Sequence, residues 1–190
     1  ASQAAANPDS WRHEWPKTDF TKHSIPLPPK DGIPALDNPS FVAVVDKLDL
    51  LPREPVITLE IEGEVPRAYP IRYLTWHEIV NDVVGGIPVA VTFCPLCNSG
   101  ITFDRRIDQG TLSFGVSGKL RNSDMIMYDR ETESWWQQAV GTGIVGDQTG
   151  RQLKQLPTWM ESWSEFKDRN PDGLVMAQPG TTRMYGRNPY

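Results

Sequence analysis

Apolar and polar positions alternate with a period of two in short runs, and the runs are separated by glycine, proline, Asp and Asn. That is the pattern of half-buried strands joined by tight turns. The two most strand-like stretches are Pro88–Phe93 and Gly100–Asp104. Between them Cys94-Pro95-Leu96-Cys97-Asn98 predicts a hairpin tip, with Pro95 and Asn98 as turn formers. Upstream, Pro55–Ile61 and Arg67–Ile71 flank Glu62-Gly63-Glu64 and predict a second hairpin. Downstream, Leu112–Gly118 reads as a strand whose glycines imply a bulge or a close backbone approach. Met125–Asp129 is the next strand, and Ser134–Gln138 leads into the segment Gly141–Gly146.

Two stretches carry helix signals. Thr75-Trp76-His77-Glu78 has the spacing of a capping box, followed by Ile79, Val80 and Val83 as an apolar face and Gly85-Gly86 as a stop. Ser162-Trp163-Ser164-Glu165 repeats the box, and Asn170-Pro171-Asp172-Gly173 ends that helix. Residues 1–30 predict an extended arm, because Pro16, Pro26, Pro28 and Pro29 forbid regular structure and Trp11, Trp15 and Phe20 fall on no common face. His13 and His23 lie in that arm and read as solvated or capping side chains. The expected fold is α+β and mainly β. It is a small antiparallel sandwich or barrel-like sheet with two short helices, the arm at 1–30 and one globular domain at 31–190.

Composition narrows the partners. The chain has 190 residues and a net charge of −5 with the signs interspersed, so no basic stripe exists for nucleic acid. No apolar run approaches the roughly 18–20 residues of a membrane span. The opening Ala1-Ser2-Gln3-Ala4-Ala5-Ala6 reads as the remainder of an export signal or lipoprotein-type tether, which predicts a periplasmic or extracellular location. Seven tryptophans serve as core wedges or as walls of a site. Trp135 and Trp136 are adjacent, so a regular strand directs one ring outward or into the site.

The candidate chemistry centres on Cys94 and Cys97, the two cysteines of the chain. In thioredoxin-like proteins a Cys-x-x-Cys pair sits where a strand enters a helix, and no helix pattern follows here. A hairpin carrying Cys-Pro-x-Cys resembles instead the metal knuckle of zinc ribbons and rubredoxin-like sites. With no third cysteine, another residue type has to complete the site. His77 is the expected imidazole; His-Glu-Ile-Val-Asn lacks the second histidine of a zincin motif. Two thiolates and one imidazole suit copper(I) or, with a water added, zinc. Asp82, Asp124, Met125 and Met127 are candidates for a further or supporting ligand. Copper would imply a metal-dependent oxidoreductase, zinc a hydrolytic centre.

Arg121 and Asp124 flank a turn expected to neighbour the knuckle and are the catalytic candidates, the guanidinium suiting a carboxylate or phosphate on a small-molecule substrate. Two alternatives stay open. One is a metal-free thiol–disulfide site, with Arg105 or Arg106 lowering a thiol pKa. The other is a structural disulfide or closed zinc knuckle in a binding module that works through its tryptophans.

Longer motifs place the chain among relatives. Arg67-Ala68-Tyr69-Pro70, Trp76–Asp82, Pro88–Ser99, Phe114–Gly118 and Tyr128–Gln137, extending through Gly141–Gly146, resemble a bacterial and archaeal family catalogued as domain of unknown function 3179. The resemblance implies export for many members and carries no settled activity.

Overall fold

A computed structural model describes residues 28–180 and 182–190. Most of the predicted arm, with Trp11, His13, Trp15, Phe20 and His23, lies outside the described residues. The chain order is β1 (Leu36–Asp37), β2 (Phe41–Ala43), a 3-10 turn (Val44–Asp46), β3 (Pro55–Leu59), β4 (Arg67–Pro70), α1 (Ile71–His77), β5 (Ile79–Val84) and β6 (Ile87–Cys94). It continues with β7 (Ser99–Asp104), β8 (Arg106–Ile107), β9 (Gly110–Thr111), β10 (Phe114–Arg121), β11 (Asp124–Asp129), β12 (Trp135–Gln137) and β13 (Thr142–Val145). The last elements are β14 (Lys154–Leu156), β15 (Thr158–Ser162), α2 (Trp163–Arg169) and β16 (Leu174–Met176).

The strands form three main sheets. The central one has the order β1-β5-β6-β7-β14, a second β15-β3-β4-β16-β2, and a third β10-β11-β12-β13. Among the described residues no sheet closes into a barrel, and two pairings, β1 with β5 and β16 with β4, are parallel. The centre of the molecule follows from β6, which is buried along nearly its whole length. Its alternate side chains serve two cores, as expected of a strand covered on both faces. Val89, Val91 and Phe93 join Ile57, Leu59, Tyr69 and Leu74 beneath the second sheet and α1. Ala90 and Cys94 join Phe103, Phe114, Met125, Met127 and Trp136 beneath the third. A further cluster built on Trp163 and Phe166 covers the outer face of the second sheet.

The predicted hairpins at 55–71 and 88–104 are present as β3/β4 and β6/β7. The predicted bulge lies in β10 between Val116 and Lys119, where Gly118 has φ +74° and the Pro28 carbonyl oxygen occupies the place of a Cβ. The second helix carries the expected capping box: Ser162 Oγ accepts from Glu165 N, and Glu165 Oε2 accepts from Ser162 N. The first helix is displaced from its predicted position. It begins after Pro70 and ends at His77, and Thr75, rather than capping, donates its hydroxyl to Ile71 O at 2.8 Å. Ile79–Val84, predicted as helix, is strand. Four β-branched residues, Ile79, Val80, Val83 and Val84, favour the pleated surface, and Gly85-Gly86, with φ +55° and +75°, supplies a two-residue hairpin turn rather than a helix stop. Trp136 is fully buried, with its Nε1 donating to Asp129 Oδ2 at 2.8 Å. Trp135 turns to the opposite face of the third sheet, where Ile126, Tyr128, Ile144 and Val145 cover it.

Candidate metal centre

Two turns meet at one end of the packed central and third sheets. The first is the knuckle Cys94–Asn98 between β6 and β7, which register Cys94 opposite Ser99. Asn98 closes it with φ +51°. The second joins β10 to β11 through Asn122 and Ser123, with φ +51° and +65°, the left-handed pair required by a tight hairpin whose ends are Arg121 and Asp124. Left-handed backbone at non-glycine residues is unfavourable and concentrates where geometry serves a site. The thiol of Cys94 points at Ser123 O, 3.9 Å away, and that of Cys97 at Asp124 Oδ1, 3.6 Å away.

Cys94 Sγ, Cys97 Sγ and an Asp124 carboxylate oxygen lie within 4.8 Å of one another. Tetrahedral zinc, with Zn–S of about 2.3 Å and Zn–O of about 2.0–2.2 Å, places a sulfur and an oxygen donor roughly 3.5 Å apart. The observed Cys97–Asp124 separation matches that distance, and a small inward movement completes the triad. Cys94 is 1 % exposed and Asp124 5 %, whereas Cys97 reaches solvent. Both thiols are free.

The surroundings hold the donors in place. The second carboxylate oxygen of Asp124 accepts the Ala139 N–H at 2.9 Å, the kind of supporting bond that orients a ligating carboxylate. Cys97 Sγ lies 3.1 Å from Ser99 Oγ, which donates to Gln138 Oε1 at 3.0 Å. Gln138 is fully buried and anchored in turn to Thr92 Oγ1. The single thiol proton of Cys97 can serve Ser99 Oγ or Asp124 Oδ1.

Burial pushes the Cys94 thiol up to about 12, helped by its hydrogen bond with Cys97, while the amide N–H groups of Cys97 and Met125 act in the opposite sense. Burial thus favours the neutral thiol at Cys94, and a cation held beside it would favour the thiolate.

The other candidates occupy different places. His77 is fully buried at the end of α1, with Nδ1 2.7 Å from Pro34 O and Nε2 2.7 Å from the Tyr185 hydroxyl. Both ring nitrogens are engaged, and the three-donor group does not include it. Burial lowers its pKa; the hydrogen bond to Pro34 O acts in the opposite sense, and the Arg183 charge adds to the lowering. Asp82 pairs with Arg67 and Tyr69. Met125 and Met127 are core residues of the face that Cys94 shares. Arg121 stands cross-strand from Asp124 and donates to Gln137 Oε1 at 2.7 Å. Neither arginine expected to activate a thiol does so: Arg105 donates to the carbonyls of Val89, Leu112 and Asp82, and Arg106 pairs with Asp104. A cleft of about 340 Å³ opens beside the knuckle, lined by Arg72, Phe93, Pro95, Asn98 and Arg187.

Of the further-ligand candidates Asp82, Asp124, Met125 and Met127, the structure brings Asp124 to the two cysteines; sequence reasoning missed Gln138 and Glu78. Glu78 was taken for a capping-box residue. It is instead the residue after α1, with φ +58°, and its carboxyl is buried.

The motifs that first suggested relatives are matched over residues 30–190 by the family described as Protein of unknown function (DUF3179). The chain belongs to this family. Comparison with curated proteins and with solved structures finds no match. DUF3179 membership thus covers the whole knuckle, the β10–β11 turn and Glu78, and assigns none of them a role. Among the described residues no helix is long and apolar enough to cross a membrane.

Proposed function

We propose that Cys94, Cys97 and Asp124 hold one metal ion with a coordination position open to water or to a small-molecule substrate. The observation that carries this reading is the convergence of two thiols and a carboxylate within 4.8 Å at two left-handed turns. Copper was the expectation for two thiolates and an imidazole. A carboxylate as the third donor is a hard ligand, which moves the preference to zinc. Zinc in such a centre supplies polarisation of water or of a carbonyl, so hydrolysis is favoured over oxidation. Arg121, across the strand pair from Asp124, is the candidate to orient an anionic group of the substrate. The metal-free dithiol is the weaker reading, because burial keeps Cys94 protonated and the nearby arginines are committed elsewhere.

The test is metal content by mass spectrometry together with a free-thiol count, on protein purified without affinity resin or chelator. One zinc per chain is expected, lost in Cys97→Ser and Asp124→Asn and retained in His77→Gln. Metal-free protein with its thiols joined as a disulfide would overturn the reading.

A further inference from the structure

On the α1 side of the knuckle lies a second carboxyl that the metal ligands do not use. Glu78 is 6 % exposed, and among the described residues no cation pairs with it. Its hydrogen-bond donor is the hydroxyl of Tyr190. Its backbone is tied to the site: Glu78 O accepts the N–H of Phe93 at 2.8 Å, one residue before Cys94. The conformation is also unusual, since φ +58° with ψ −33° is sparsely populated for a residue with a side chain. That backbone carries the carboxyl out of the helix pattern and toward the last residues of the chain. The Tyr190 phenol is close enough to Cys94 for a thiolate there to raise its pKa, after the larger effects of burial and of Glu78 itself.

Resting on the metal centre proposed above, we infer that Glu78 is the proton-transfer residue of that centre, with Tyr190 as the hydrogen-bonding partner that orients it. The carboxylate takes one proton from an attacking water as the new oxygen bond forms. The resulting carboxylic acid returns the proton to the leaving group as its bond breaks, so Glu78 ends the cycle as it began. Burial pushes this carboxyl up to about 7, with the Tyr190 hydrogen bond pulling the other way, and an acid–base group works best when its pKa lies near the operating pH. The groups around it act in known senses. From the C-terminal segment, Tyr190 donates to Glu78, and Arg183 acts on Tyr190 and on His77. From β6, Cys94 acts through Tyr190. From α1, His77 is held by Pro34 and Tyr185.

The experiment uses cobalt(II) in place of zinc, whose visible bands report the ligand field and whose near-ultraviolet sulfur band reports thiolate binding. The full chain and its Glu78→Gln, Glu78→Asp and Tyr190→Phe variants are loaded and titrated with pH. All are expected to show the sulfur band. The unaltered chain should show an ionisation of the visible bands near pH 7. Glu78→Gln, nearly the same shape, should lose it, Glu78→Asp should restore it, and Tyr190→Phe should move it to higher pH. An unchanged midpoint in Glu78→Gln with the sulfur band intact overturns the role of Glu78 alone. Absence of the sulfur band from the unaltered chain overturns the metal centre, and the role of Glu78 falls with it.

Discussion

Two buried aspartates, Asp82 on β5 of the central sheet and Asp124 on β11 of the third, have opposite surroundings. Asp82, 5 % exposed, accepts from Arg67 Nη1 and Tyr69 OH, each at 2.7 Å, and its other oxygen takes the Val83 N–H. Its charge is balanced and its lone pairs are used. Asp124, equally buried, has the Ala139 N–H on one oxygen and the Cys97 thiol near the other. Among the described residues no cation lies within ion-pair distance of it. The first cluster is complete as it stands and belongs to the fold. The second gathers anionic or anion-forming donors that make no ion pair among the described residues, an arrangement that would suit a cation.

The largest expected effect separates the two directly. Asp82→Asn leaves Arg67 without its partner, and breaking a buried pair in this way costs roughly 3–5 kcal/mol, toward the lower end here because the Arg67 side chain is 19 % exposed. Denaturant unfolding should show this loss while the metal stoichiometry stays unchanged.

The next effect concerns Glu78, whose folded pKa of about 7 stands above its ordinary 4.5. Its contribution is fully present below pH 4.5 and is lost as pH rises through 7, because the folded state holds the proton that the unfolded state has released. The difference is on the order of 3 kcal/mol. Glu78→Gln should flatten the stability-versus-pH curve over that window, and an unaltered slope would show that this carboxyl is not responsible.

The smallest effect is the most discriminating. Asp124→Asn keeps an acceptor for Ala139, so metal-free protein should lose less than about 1 kcal/mol, even as zinc binding disappears. A loss as large as that of Asp82→Asn would make Asp124 structural and dissolve the contrast between the two sites.

The knuckle was legible in the sequence because its signals are local: a β-branched run, a Cys-Pro-x-Cys turn and a second run. So were the capping box at Ser162 and the bulge at Gly118. The first helix was misplaced because Thr75 and Glu78 have capping-box spacing, whereas Pro70 and the strand preference of Ile79–Val84 decided the outcome. The third sheet, a run of consecutive hairpins, was legible strand by strand, but the Ser99–Gln138–Thr92 chain joins residues dozens of positions apart, and no local period encodes it. His77 was chosen as the nearest imidazole in sequence. Its actual partners, Pro34 and Tyr185, come from segments that sequence reading had no reason to bring together.

The order of strands in the central sheet has a mechanical meaning. Asp104 at the end of β7 pairs with Lys154 at the start of β14, so residues 105–153 leave the sheet and return to it at the same point. The whole third sheet is thus a long excursion with its two ends touching, and such closed excursions are joined to their host mainly by surface packing. Cys94 and Cys97 sit on the host, and Asp124 sits on the excursion. An ion shared among them would be a clasp: it would fasten the far end of the excursion to the sheet it departs from, and amide hydrogen exchange in β10–β13 should slow when the clasp closes.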